Sequence, residues 1–273
     1  MVANDPGQPA LSSPGLGGAQ ESRDAAALAP TTTIDLDVPA SALAVGAHPD
    51  DIEFGAGATL AKWADRGCVV HHLVCTDGSK GTWDPDADTE ALVVRRRQEQ
   101  REAARRIAGA RAGEVIFLDR IDGELENDAA TRSEVVRAIR RLRPDVVLGH
   151  DPWKRYRLHP DHRVAGQLVC DAIVGARDPH FHRDLGLVAF RPSALLLFEA
   201  DLPNHAEDVT TTVERKLDAL LAHESQFEST MHAKLGDPEL LDAFRTRIRD
   251  RLAELGAPWK LPAAEVFALM IDL

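Results

Sequence analysis

From Ser41 to the C-terminus, short apolar runs alternate with longer amphipathic stretches. The run Ala42-Leu43-Ala44-Val45-Gly46-Ala47 is too short for a helix and predicts a buried strand over 42–47. Apolar positions then take helical spacing through Leu60 and Trp63 up to a Gly67 stop, which predicts a helix over 54–66. The same reading predicts strands over 69–75, 115–118, 146–149 and 194–198 and near 266–271. Helices are predicted over 89–108, 130–142, from just after His159 to about 174, over 213–223 and over 238–255. Leu92, Val93 and Ile107 mark the apolar side of the 89–108 helix, and Pro144-Asp145 breaks the chain into the 146–149 strand. Strands alternating with helices imply right-handed βαβ units: an α/β fold with a Rossmann-like, mostly parallel sheet and helices on both faces. Residues 1–30 are rich in Gly, Pro, Ser and Ala without any period and predict a disordered leader ahead of a single domain over 31–273.

In such sheets ligands bind beyond the C-terminal ends of the strands. Two packets of metal-ligating residue types fall at or just after such ends: His48-Pro49-Asp50-Asp51 and His159-Pro160-Asp161-His162. His48 and Asp51 are three apart, so a helix starting there brings both to one side, and Pro49 stiffens the turn. Asp50 is left free to take a proton from a metal-bound water. In the second packet Pro160 suits the first turn of a helix, which makes His159 the cap, puts His162 on the first turn and leaves Asp161 to accept a ring N–H from a histidine. Each packet alone could be an ordinary turn with an Asp capping its helix. Together, at the strand ends of one parallel sheet, they form a hydrolytic metal set. An N/O donor set suits Zn2+ and also admits Fe2+, cobalt or manganese. His71, His72, His180 and His182 read as core or solvated residues.

Composition narrows the class. With 273 residues and 44% hydrophobic content the chain can bury a core without disulfides, and its 3 Cys are too scattered for a disulfide framework or a Cys-based zinc site. They suit a cytoplasmic setting. A net charge of -12 argues against nucleic acid or an anionic membrane as partner, and no apolar run is long enough to span a bilayer. Gly55-Ala56-Gly57 is the nearest thing to a nucleotide-binding loop, but it follows two acids and lacks the further glycine. A regulator without catalytic activity would have no need of Asp50 and His159 beside the ligands.

The segment His48-Pro-Asp-Asp-Ile-Glu-Phe-Gly-Ala-Gly57, together with His159-Pro160-Asp161-His162, resembles the PIG-L/LmbE-like zinc deacetylases, and the resemblance runs from about 43 to 227. It implies removal of an N-acetyl group from an N-acetylglucosamine-type sugar in a small-molecule glycoconjugate. The alternative is an amidase of a thiol conjugate or a deacylase tailoring a glycopeptide-type metabolite. By position, the resemblance makes His48, Asp51 and His162 the zinc ligands and Asp50 the general base. It makes His159 the oxyanion stabiliser, oriented by Asp161. Arg96, in Arg96-Arg97-Gln98-Glu99, and Asp122, in Ile121-Asp122-Gly123, are similar to family residues that contact the sugar. One departure concerns the position two before His159, a Tyr in some thiol-pathway members. It is Arg157 here with Tyr156 one residue earlier, which leaves either to contact substrate and weakens a thiol-pathway assignment. Residues 82–88 and 153–158 are expected to shape the opening, with Trp83, Trp153 and Tyr156 stacking on a sugar or an aglycone, or filling the core. A homo-oligomer is compatible with all of this.

Overall fold

The computed structural model describes residues 32–273, so the leader expected over 1–30 lies outside the described residues. Eight strands form one sheet: β1 (Thr33–Ile34), β2 (Ser41–Gly46), β3 (Val69–Thr76), β4 (Ala112–Arg120), β5 (Val146–His150), β6 (Ala194–Phe198), β7 (His205–Asp208) and β8 (Ala264–Ile271), in the spatial order β1-β7-β8-β6-β5-β2-β3-β4. All neighbours are parallel except that β8 runs antiparallel to both β6 and β7. Among the described residues, six α-helices accompany them: α1 (Asp51–Asp65), α2 (Thr89–Ala108), α3 (Ala129–Leu142), α4 (Pro160–Arg177), α5 (Val213–Leu220) and α6 (Pro238–Gly256).

Period-two alternation along each central strand sends side chains to opposite faces. Ala42 and Ala44 of β2, Val146 and Leu148 of β5 and Leu196 and Phe198 of β6 pack with Ile52, Leu60 and Trp63 of α1 and Ile107 of α2. Their neighbours Leu43, Val45, Val147, Leu195 and Leu197 pack on the other face with Val135, Val136 and Ile139 of α3 and Leu168, Val169 and Ile173 of α4. Helices thus cover both faces, as the continuous apolar character of the strands demands. Asp88, Asp128 and Asp237 cap α2, α3 and α6 through their side chains, each accepting the N–H three residues on.

Three features of the fold differ from the sequence reading. The helix expected over 213–223 ends at Leu220 and tightens into a 3-10 turn over Glu224–Gln226. Strands β1 and β7 were not expected. β1 has two residues, too few for a period, and β7 reads as His-Ala-Glu-Asp because Glu207 is buried only by virtue of partners elsewhere: Lys62, the backbone N–H of Leu36 and the His205 ring. The antiparallel course of β8 was likewise invisible, since strand direction is a tertiary property.

The chain runs β2-β3-β4 outward in one direction, crosses back, and runs β5-β6 outward in the other. The order reverses between β2 and β5, which lie side by side. Loops leaving these two strands at the same end diverge over opposite faces and open a crevice between them.

Candidate active site

Both histidine packets border this crevice. β2 ends at Gly46, two residues before His48, and α1 begins at Asp51. β5 ends at His150, and the loop after it leads to His159, which is the N-cap of α4 with Pro160 in its first turn, as expected. A cavity of about 710 Å³ opens there, lined among others by His48, Asp50, Asp51, His159, His162, Arg96 and Asp122.

Three donors form a nearly equilateral triangle. His48 Nδ1 lies 3.2 Å from His162 Nε2 and 3.4 Å from Asp51 Oδ2, and His162 Nε2 lies 3.3 Å from Asp51 Oδ1. Tetrahedral zinc with bonds of roughly 2.0–2.1 Å separates its ligand atoms by about 3.3–3.4 Å. These separations are of the size that ligands of one ion require, although Asp51 turns a different carboxylate oxygen to each histidine, Oδ2 to His48 and Oδ1 to His162. His48 Nε2 faces away from the triangle, donating to Asp161 Oδ2 at 3.1 Å with Asp122 Oδ1 at 3.3 Å, which turns Nδ1 toward it. Burial would depress the His48 ring, but hydrogen bonds to Asp122, Asp161 and Asp51 hold its pKa well above the ordinary value. This surrounding favours a cation. Burial, and after it the charges of His150 and His48, bring His162 down to about 4, a neutral imidazole. Asp51 is buried too, yet His162, which carries charge only in the acidic range where a carboxyl titrates, and His150 hold it well below the usual carboxylate range.

Asp50 is the N-cap of α1, but its carboxylate makes no capping bond. The reason is its backbone: φ is +106° and ψ is -26°, a left-handed conformation that costs a non-glycine residue on the order of 1–3 kcal/mol. The twist turns the side chain from the helix end into the cavity. Burial raises the Asp50 carboxyl to about 6, with the Arg96 guanidinium 3.5 Å away opposing and the Asp51 charge reinforcing. His159 is exposed toward the cavity, its ring centroid 4.6 Å from that of His48 and 4.9 Å from that of His162. Burial and the charge of His48 lower its pKa.

Other expected residues take different positions. Asp161, expected to orient His159, instead holds His48 and accepts the N–H groups of Gly123 at 2.6 Å and Leu125 at 3.2 Å. The first turn of α4 aims it inward, away from the cap residue. Arg157, expected to meet substrate, is not among the cavity's lining. Its guanidinium packs behind the site, 3.0 Å from His162 Nδ1 and 3.1 Å from His150 Nδ1, and pairs with Glu199. Tyr156 is 87% exposed and outside the lining, because the left-handed turn at its own backbone points it to solvent. Arg96 does line the cavity, though it is almost fully buried and donates to Pro49 O and Gly78 O. Asp122 lines it as well, anchored by the Lys80 N–H. Trp83, 82% exposed, stands on the lining, while Trp153 is exposed beside the crevice; neither fills the core.

Sequence reading missed His150 and a group around Gln100. His150 is the buried last residue of β5, its Nε2 3.2 Å from Asp51 Oδ2. An ionisable residue at a strand's C-terminal end was a signal available for it. His72, read as a core or solvated residue, is fully buried against Gln100, with Glu53 and His223 beside it. No spacing connects these four positions, which come from four separate segments.

The PIG-L family model, described as GlcNAc-PI de-N-acetylase, matches residues 43–173. The chain is 40% identical over 188 residues to a diacetylchitobiose deacetylase of Thermococcus kodakarensis, covering 68% of this chain and 69% of that one. It is 36% identical over 163 residues to a 1D-myo-inositol 2-acetamido-2-deoxy-alpha-D-glucopyranoside deacetylase of Saccharopolyspora erythraea, covering 52% of this chain and 59% of the relative. Among solved structures, the N,N'-diacetylchitobiose deacetylase of Pyrococcus horikoshii, in complex with an inhibitor, superposes with a TM-score of 0.77 at 27% identity over 94% of both chains.

Proposed function

The chain belongs to the PIG-L family, and from that premise we propose that it is a metal-dependent amide hydrolase that removes the N-acetyl group from an N-acetylglucosamine-type sugar in a small-molecule glycoconjugate. One observation carries the reading. A carboxylate that makes no capping bond, Asp50, and an exposed imidazole, His159, open onto the same cavity as the donor triangle of His48, Asp51 and His162.

Those three residues would hold the ion, and zinc fits their donor set best. When bound, such an ion supplies Lewis acidity, which acidifies water and polarises a carbonyl oxygen. Asp50 takes the proton of the attacking water. A carboxyl near 6 is a stronger base than an ordinary one and is still mostly ionised at neutral pH. His159 donates a ring N–H to the oxyanion that develops on the acetyl carbonyl. The proton taken up by Asp50 then passes to the departing amine. Asp161 and Asp122 keep the His48 ring turned so that Nδ1 faces the ion. Arg96 steadies Asp50, Asp122 is in reach of a sugar hydroxyl, and Trp83 offers an aromatic face at the opening. The net charge of -12 suits a small soluble substrate rather than nucleic acid, and three free thiols suit a reducing, cytoplasmic compartment.

The test is to load the protein with zinc and incubate it with N-acetylglucosamine, its inositol and malate conjugates, diacetylchitobiose and an N-acylated glycopeptide. Free amine and free acid are then measured. Acetate release from at least one amino sugar is expected. Release from none of them, by protein shown to contain metal, overturns the reading.

A further inference from the structure

The left-handed conformation of Asp50 requires something to hold it, and α2 supplies the grip. The peptide unit joining Pro49 to Asp50 has two polar groups, the Pro49 carbonyl and the Asp50 N–H. Arg96 Nη2 donates to the carbonyl at 2.6 Å, and Gln100 Oε1 accepts the N–H at 3.0 Å. Arg96 and Gln100 are one turn apart on α2, hence on one face of that helix. A single rigid element therefore holds both ends of one peptide plane. With that plane fixed, φ of Asp50 decides where its carboxylate goes.

Gln100 is itself held in one orientation. Its Nε2 donates to Glu53 Oε1 at 2.8 Å and to His72 Nδ1 at 3.1 Å, so the amide oxygen is the atom left for Asp50. Gln100, Glu53, His72 and His223 are all fully buried, and His223 Nε2 stands 3.3 Å from Glu53 Oε2. Among the described residues, the bond from the Asp50 N–H to Gln100 Oε1 is the hydrogen bond that links this group to the cavity's reacting residues. A buried amide with every donor and acceptor engaged is conformationally locked, and leaving any one unmatched is costly.

We propose that Gln100 is a positioning residue: together with Arg96 it fixes the plane of the Pro49–Asp50 peptide and so aims the Asp50 carboxylate into the cavity, while the Glu53–His72 pair fixes Gln100. The proposal rests on Asp50 being the base, and two measurements separate its failure from failure of that reading.

The first needs no turnover. In the unaltered protein the Asp50 amide, at the mouth of a helix beside an open cavity, is expected to exchange with solvent at least about 100-fold more slowly than an unprotected amide. Exchange at the unprotected rate overturns the clamp, whatever the enzyme hydrolyses. The second uses Gln100→Met, which keeps volume but offers no acceptor to the Asp50 N–H. For Gln100→Met, kcat should fall roughly 30- to 100-fold with KM within about threefold and metal content unchanged, the loss typical of a misaimed catalytic group. A folded and metal-replete Gln100→Met with kcat within about twofold of the parent overturns the proposal. Absence of turnover by the unaltered protein would instead count against the deacetylase reading and leave the exchange measurement to decide the clamp. Should Gln100→Met fail to fold, the same exchange measurement decides.

Discussion

Asp50 and Asp51 are chemically identical neighbours that the backbone assigns to different work. Asp51 has the His48 N–H at 2.7 Å and the imidazoles of His48, His150 and His162 around it, so it stays ionised and bonded. Asp50, twisted into the left-handed region, keeps its carboxylate out of capping and near a pKa of 6. Substitution should separate the two kinds of role. Asp50→Ala is expected to retain metal and to lose about 100-fold or more in kcat, the usual share of a general base. His162→Ala is expected to lose the metal itself. Metal content and kcat measured on the same preparations distinguish these outcomes, and full activity in Asp50→Ala would remove it from the mechanism. That His48, Asp50, Asp51, His159 and His162 meet at one cavity was legible from sequence because each packet lies within four residues and next to a strand end. The tasks of Asp161 and Arg157 were not, since the direction of a side chain on a helix turn or loop depends on what packs behind it. His150, Gln100 and His72 join the site only through contacts some 28 to 103 residues apart along the chain.

At the scale of elements, most boundaries follow from local chemistry. The helix over Thr89–Ala108 begins at the Asp88 cap, and the strand Ala194–Phe198 is an unbroken apolar run. Where partners elsewhere decide, the pattern is silent, as with β7. Arg140 is a case in which one side chain organises a whole connection. Buried on α3, it donates to the carbonyls of Gly175 and Ala176 at the end of α4 and to Asp178, Phe181 and His182 in the segment that follows. Three of these carbonyls also accept a backbone N–H, Ala176 from Phe190, Asp178 from Phe181 and His182 from Leu185, so Arg140 adds a second donor there and ties the segment to α3. Charge-assisted bonds of this kind are the strong ones, so Arg140→Ala is expected to lower unfolding stability by roughly 2–4 kcal/mol without changing metal content. Denaturant unfolding of the two proteins measures it, and a change below about 0.5 kcal/mol would mean that water satisfies the carbonyls equally well.

At the scale of the molecule, the proposed ligands straddle the place where the strand order reverses: His48 and Asp51 after β2, His162 after β5. An ion there ties together the two halves of the sheet and stabilises only the folded chain. At a concentration about 100 times its dissociation constant it should add about 2.7 kcal/mol, which for a domain of this size is a rise of roughly 5–10 °C in Tm. Melting curves with and without chelator test this. An unchanged Tm, with metal confirmed bound and removed, would mean that the unfolded chain holds the ion as tightly as the folded one. The sequence by itself determined the α/β class, the positions of the central strands and the two packets, because alternation, apolar runs and ligand spacing are local properties that act over a few residues. Only the tertiary structure decided that β2 and β5 are neighbours, that β8 runs antiparallel, and that α2 grips the peptide before Asp50. Each of those depends on surfaces from distant segments meeting. Between the strand ends that supply the ligands and the geometry that sets their roles stands the fold itself, which no short stretch of chain encodes.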